Sequence, residues 1–112
     1  MKEKIKLIVG QILSWLAVGD FAKLVELTKG VRMSDDEIKR AIRDYGKTIC
    51  TPPKRAFDLM DVVAIRNAAI PQFSVRMPLW TEEEGRSDLT LELTIRIPDK
   101  SIEVELDDIH VL

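Results

Sequence analysis

Cysteine and histidine are nearly absent from this chain of 112 residues, which holds one of each, Cys50 and His110. A single cysteine excludes an internal disulfide and any zinc or iron–sulfur site built from several thiolates. A single histidine excludes metal motifs that need two imidazoles. The fold must therefore rest on an ordinary hydrophobic core, which a chain of this length can bury.

Aromatic residues make up only 5% of the sequence, and its five glycines are scattered. A phosphate-binding loop needs several glycines close together, so none is predicted. Lys39, Arg40 and Arg43 form a basic patch, but no aromatic platform for stacking bases accompanies it. We therefore predict a solvated helix face at this patch, and no nucleic-acid partner.

The sequence also has no long uninterrupted apolar run. The best candidate, residues 7–18, is broken by Gln11 and Ser14, and Glu3 stands among the preceding lysines. A secretory signal or a membrane span would be more continuous. The spacing instead predicts an amphipathic core helix, in a cytoplasmic protein that has no membrane partner. The apolar stripe of this helix consists of Ile5, Ile8, Val9, Ile12 and Leu16.

The first half of the chain contains several residues that are typical of helix starts and helix ends. Gly19 ends the first helix, and Asp20 can cap a second. Ser34 and Glu37 have the spacing of a capping box, which begins a third helix that Gly46 closes. Three helices are therefore predicted before residue 47.

The second half alternates apolar and polar residues, which is the pattern of half-buried strands. The break in alternation at Asp107–Asp108 predicts a β-bulge. The strand at residues 89–97 should be central, because its apolar face is the longest. We predict one α+β domain over residues 1–112, with about three N-terminal helices packed on a curved antiparallel meander of about four strands. The three apolar series are Phe73, Val75, Met77 and Leu79; Leu89, Leu91, Leu93, Ile95 and Ile97; and Ile102, Val104 and Leu106.

Two segments near the C-terminus resemble the signature of a family of small, uncharacterised bacterial proteins. They are residues 78–90 (PLWTEEEGRSDLT) and residues 107–112 (DDIHVL). This resemblance implies a self-contained bacterial domain and transfers no catalytic residue. More weakly, the order of helices and strands and the Gly19-Asp20-Phe21 turn resemble the cystatin-like cone of the nuclear transport factor 2 superfamily. That second resemblance implies a curved sheet around a pocket.

Charge is unevenly distributed along the chain although the formal net charge is only -2. Residues 1–79 hold 14 Lys and Arg against 9 Asp and Glu, whereas residues 80–112 hold 3 against 10, a net charge of -7. An acidic surface repels phosphate backbones and attracts cations and basic proteins. A basic protein is therefore the predicted partner of the last third of the chain.

The predicted partner-binding surface lies around the connection between the first two long strands. The loop of residues 81–87 is longer than a minimal hairpin needs, and an aromatic residue at its base could anchor a partner. A solvated loop that discourages aggregation is the simpler interpretation. The candidate residues are Trp80, Glu82, Glu83, Glu84, Arg86, Asp88, Asp107 and Asp108.

Asp108 and His110 are two residues apart and so share one face of a strand. In a pocket, this pair could do acid–base chemistry or help to hold a divalent cation. The sequence contains no fixed ligand spacing and no nucleophilic triad, so we predict no catalytic residue, no metal site and no cofactor. Asp108 and His110 would be the catalytic residues if the protein were an enzyme.

Two functional hypotheses remain. The first is a small cytoplasmic, non-catalytic interaction module, inhibitor- or immunity-like, that is a monomer or a weak homodimer. The alternative is a reduced nuclear transport factor 2-like domain with a small-molecule pocket near Asp108 and His110. The two differ in whether a deep apolar pocket reaches His110.

Overall fold

Three α-helices precede a five-stranded antiparallel sheet in a computed structural model, which describes residues 2–112. The predicted α+β class is therefore confirmed. The helices are α1 (Lys2–Val18), α2 (Phe21–Thr28) and α3 (Asp35–Tyr45), and a short 3-10 helix spans Lys54–Leu59. The strands are β1 (Ile49–Cys50), β2 (Asp61–Ala64), β3 (Gln72–Thr81), β4 (Gly85–Arg96) and β5 (Glu103–Val111).

The predicted helix caps are present. The Asp20 carboxylate accepts a hydrogen bond from the backbone N–H of Lys23 at 3.4 Å, at the start of α2. At the start of α3, the Ser34 hydroxyl accepts from the Glu37 N–H at 3.2 Å. The Glu37 carboxylate in turn accepts from the Ser34 N–H at 3.0 Å, which completes the capping box.

β3 and β4 form the centre of the sheet. One edge of β3 pairs with β4, and the other pairs with the short strands β1 and β2. β4 also pairs with β5, so the strand predicted to be central is paired on both sides. β5 is left as an edge strand.

The core lies between the helices and one face of the sheet. The odd-numbered residues of β4 from Leu89 to Ile95 are buried there, and α1 contributes the predicted stripe. Leu93 is completely buried, with 0% of its surface exposed. The opposite face, which we call the outer face, carries mostly polar side chains, including Arg76, Glu92 and Arg96.

A β-bulge interrupts β5, as the broken alternation predicts. Leu93 of β4 pairs with Leu106, whereas the preceding residue, Glu92, pairs with Asp108. Asp107 is therefore an extra residue between the two pairs. Beyond it Ile109 is buried in the core, so that Asp108 and His110 belong to the outer face.

None of the helices in residues 2–112 is both long enough and apolar enough to cross a membrane.

Candidate functional site

The connection between β3 and β4 is a tight turn. β3 runs to Thr81 and β4 begins at Gly85, and these two residues pair across the sheet. Only Glu82, Glu83 and Glu84 connect them. Gly85 has a φ of 75°, the left-handed conformation that closes such three-residue hairpin turns. The expectation of a long loop over residues 81–87 is therefore wrong, because strand pairing resumes after a register shift beyond Pro78 and continues to Thr81 and Gly85.

Two of the three turn glutamates are tied to the rest of the fold. Glu83 accepts hydrogen bonds from the N–H of Thr48 at 2.8 Å and from its hydroxyl at 2.9 Å. These hydrogen bonds lower the pKa of Glu83 below its usual value. Glu84 accepts from the Tyr45 hydroxyl at 2.9 Å and from the Thr81 hydroxyl at 3.1 Å. Both carboxylates are exposed and held in fixed positions.

The flanking residues divide between core and surface. Trp80 pairs with Arg86 across the hairpin and is partly buried against the core. Ser87 is buried, and its hydroxyl donates to the carbonyl oxygen of Leu79 at 2.8 Å. Arg86 and Asp88 are exposed. The predicted anchor, Trp80, is thus partly in the core, and one charged residue, Arg86, lies opposite it on β4.

Asp107 and Asp108 occupy different environments. Asp107 is half-buried in the bulge, where it accepts from the Thr94 hydroxyl at 2.6 Å and lies 3.6 Å from Nε of Arg32. Asp108 is exposed on the outer face. The end of β5 lies beside the hairpin, since the Leu112 N–H donates to the carbonyl oxygen of Asp88 at 3.4 Å. Asp108 itself pairs with Glu92, which is nearer to the β4–β5 connection than to the β3–β4 turn, so the structure does not place Asp108 beside the turn glutamates.

A cluster of titratable side chains surrounds His110. Its Nε2 is 2.7 Å from Oε2 of Glu92, and its Nδ1 is 3.2 Å from the carbonyl oxygen of Val111. Both ring nitrogens thus face acceptors, which favours the imidazolium form. The hydrogen bond to Glu92 is the main cause of the raised pKa of His110. Arg76 holds the other oxygen of Glu92, with Nε 2.7 Å from Oε1.

The sequence did not identify Glu92 as a member of this cluster. It lies 16 positions before Asp108 in the sequence, yet the two residues lie opposite each other, because the bulge shifts the pairing of β4 with β5 by one residue. Glu92, Asp108 and His110 each offer an atom that could bind a metal, and these three atoms lie within 4.8 Å of one another. The cluster could hold a cation or exchange a proton with solvent.

An open depression of about 250 Å³ lies next to this cluster on the same face. Neither Asp108 nor His110 lines it. Acidic and basic residues line this depression together with apolar ones, whereas the alternative hypothesis needs a deep apolar pocket that reaches His110. Its lining residues are Leu59, Asp61, Arg76, Pro78, Arg86, Ser87, Asp88, Thr90 and Leu112.

The fold and the cluster define a small α+β protein that has polar groups gathered on the open face of its sheet. The chain belongs to the family described as Domain of unknown function (DUF7668), whose model matches residues 13–112. This match confirms membership of an uncharacterised family. No curated protein and no solved structure shows significant similarity to the chain. The likeness to the nuclear transport factor 2 cone therefore stays a prediction.

Proposed function

We propose that the protein is a small cytoplasmic, non-catalytic interaction module, inhibitor- or immunity-like, that binds a basic protein. One observation carries this proposal. Of the ten acidic residues in positions 80–112, seven are exposed and take part in no ion pair within 4 Å among the residues described. Their charges are available to a partner. The seven are Glu82, Glu83, Glu84, Asp88, Asp99, Glu103 and Asp108.

Four of these carboxylates lie at one end of the sheet, at or beside the β3–β4 turn. We call Glu82, Glu83, Glu84 and Asp88 the acidic end. Two other exposed acids, Asp99 and Glu103, lie at the opposite end of β4, near its connection to β5. Exposed carboxylates are therefore most concentrated at the acidic end, and this is where a basic partner would be steered.

The acidic end is also preorganised. The hydrogen bonds from Thr48 and Tyr45 fix Glu83 and Glu84 before any partner arrives. Binding then immobilises fewer side chains, which reduces the entropic cost of association. Trp80 is partly buried at the base of the turn, where an aromatic contact would contribute most to the lifetime of a complex.

Affinity capture with a matched pair of variants tests the proposal. The protein is immobilised, exposed to a bacterial lysate at low and high salt, and the retained proteins are identified by mass spectrometry. We expect a basic protein that is retained at low salt and lost at high salt. The test variant, Glu82→Gln with Asp88→Asn, removes two charges from the acidic end, and we expect it to lose most of this retention.

The control variant, Asp99→Asn with Glu103→Gln, removes the same charge from the opposite end of the sheet and should retain the partner. Equal retention by both variants would show that the acidic end is not the binding surface. Retention of acidic or neutral proteins alone would contradict the choice of a basic partner. Circular dichroism of both variants checks that each is folded.

A further inference from the structure

The cluster on the outer face has the donor set of a transition-metal site. It offers one imidazole nitrogen from His110 and carboxylate oxygens from Glu92 and Asp108, all within 4.8 Å of one another. Zinc binds histidine nitrogen and carboxylate oxygen at about 2.0–2.2 Å, so its ligand atoms lie roughly 3.3–3.5 Å apart. The three donors therefore need only small side-chain movements to reach a common ion.

Neighbouring groups orient two of the donors. Arg76 holds Oε1 of Glu92, which leaves Oε2 facing His110 at 2.7 Å. The carbonyl oxygen of Val111, 3.2 Å from Nδ1, can accept the proton on that nitrogen. In the neutral imidazole, the lone pair is then on Nε2, the nitrogen that faces the carboxylates. Metal-binding histidines and carboxylates are commonly oriented by outer partners in this way.

The backbone positions the third donor, the Asp108 carboxylate. The bulge at Asp107 places Asp108 directly opposite Glu92 and leaves His110 on the same face. All three donors therefore lie on two adjacent strands, which are rigid elements of the sheet. His110 and Glu92 are half-buried and Asp108 is exposed, so the remaining coordination position would open to water.

We propose that Glu92, Asp108 and His110 bind a first-row divalent transition-metal ion, for which Zn²⁺ is the probe. The ion takes the place of the proton shared between Nε2 of His110 and Oε2 of Glu92. The Nε2–H bond breaks, a bond from Nε2 to the metal forms, and the proton passes to solvent. Magnesium should bind much more weakly, because it prefers an all-oxygen, octahedral shell to a site with an imidazole.

Isothermal titration calorimetry with zinc chloride tests this site. The protein carries Cys50→Ser throughout, because Cys50 is the only thiol that could compete for zinc. We expect one zinc ion per chain and at least tenfold weaker binding after His110→Asn or Asp108→Asn. The control Asp99→Asn removes an exposed acid away from the cluster and should bind zinc like the parent.

A second measurement guards against misfolded variants. Zinc should raise the Tm of the Cys50→Ser protein and of the Asp99→Asn control, but not that of His110→Asn. If His110→Asn does not fold, His110→Gln replaces it. The metal site is contradicted if zinc does not bind, if binding survives substitution of His110, or if magnesium binds equally well. The variant with Glu82→Gln and Asp88→Asn should keep full zinc binding, which separates this site from the acidic end.

Discussion

Glu82 is exposed at the tip of the β3–β4 turn, while its neighbour Glu83 accepts two hydrogen bonds from Thr48. In the sequence these two residues are equivalent members of an acidic triplet. The difference comes from Thr48, which lies 35 positions away from Glu83 and is brought beside the turn by the pairing of β1 with β3. Glu83 therefore has a structural role in addition to its charge.

At the residue scale, Glu83→Gln should lower the Tm, whereas Glu82→Gln should leave it nearly unchanged. The pKa of Glu83 is lowered in the folded protein, chiefly by its hydrogen bond with the Thr48 backbone. The stabilisation is thus present above the unfolded-state pKa and is lost as the pH falls through the folded-state pKa. Thermal unfolding followed by circular dichroism from neutral to acidic pH measures both effects.

The pH series contains its own check. The difference in Tm between the wild type and Glu83→Gln should shrink towards acidic pH, because protonation removes the same interaction from the wild type. A difference that stays constant across the series would mean that the ionised carboxylate of Glu83 does not contribute. Equal losses in the Glu82 and Glu83 variants would contradict the distinction between them.

At the scale of elements, β4 is the strand on which the sheet depends. It pairs with both β3 and β5 and buries four consecutive inward side chains, Leu89 to Ile95. Leu93 is in the middle of this series, opposite Val75 on one side and Leu106 on the other. Both of these partners are buried, so a smaller side chain at position 93 leaves a cavity that the neighbours cannot readily fill.

Leu93→Ala should lower the free energy of unfolding by about 2–5 kcal/mol, the range for truncation of a buried leucine. Leu7→Ala is the matched control, because 75% of the surface of Leu7 is exposed, and surface substitutions usually change stability by less than about 0.5 kcal/mol. Urea denaturation of both variants gives the two values. A loss well below 1 kcal/mol for Leu93→Ala would mean that the inward face of β4 is misassigned.

The sequence predicts the long elements well but gives no sign of the two-residue strand β1. The three helices and β3 to β5 follow from periodicity and caps, which are local signals. β1 has only two residues, Ile49–Cys50, and exists because β3 offers it an edge, so no local pattern reveals it. The predicted length of the β3–β4 turn was wrong for the same reason. Strand pairing, rather than side-chain pattern, sets where those strands end.

Only part of the cluster around His110 could be predicted from the sequence. The sequence places Asp108 and His110 on one face, but their partner Glu92 depends on the register of two strands. The register begins at the connection between β4 and β5, where Arg96 pairs with Glu103. Counting back from that pair, and allowing for the predicted bulge, brings Glu92 opposite Asp108. The sequence predicts the bulge, so the pairing register of β4 with β5 is the information that sequence reasoning needed and did not use.

At the scale of the whole molecule, the two surfaces of the sheet differ in what they can bind. The inward face is filled by helices. The outer face carries ion pairs such as Arg76–Glu92, at 2.7 Å, and Arg96–Glu105, at 3.0 Å. Burying these groups against another copy would remove their solvation. The bulge and the charges of β5 also discourage edge-to-edge pairing with a second sheet.

The protein should therefore sediment as a monomer, with at most a weak concentration-dependent dimer. Large apolar side chains are exposed elsewhere, notably Leu7 and Val18 of α1, and these could support such a weak contact. Sedimentation velocity over a range of concentrations measures the association. A tight dimer that protects Glu92, Glu103 and Glu105 from solvent would contradict the interpretation of the outer face as a solvated surface.

The extra residue in β5 would also affect how this chain aligns with a relative that lacks it. Asp107 is added to a ladder that is regular on both sides, with Leu106 opposite Leu93 and Asp108 opposite Glu92. A relative that lacks this one residue can keep both pairs, and with them the Glu92–Asp108–His110 cluster. It would lose the contacts of Asp107 with Thr94 and Arg32. In a sequence alignment the two chains would show a single gap, whereas superposed structures would show the same three side chains in place.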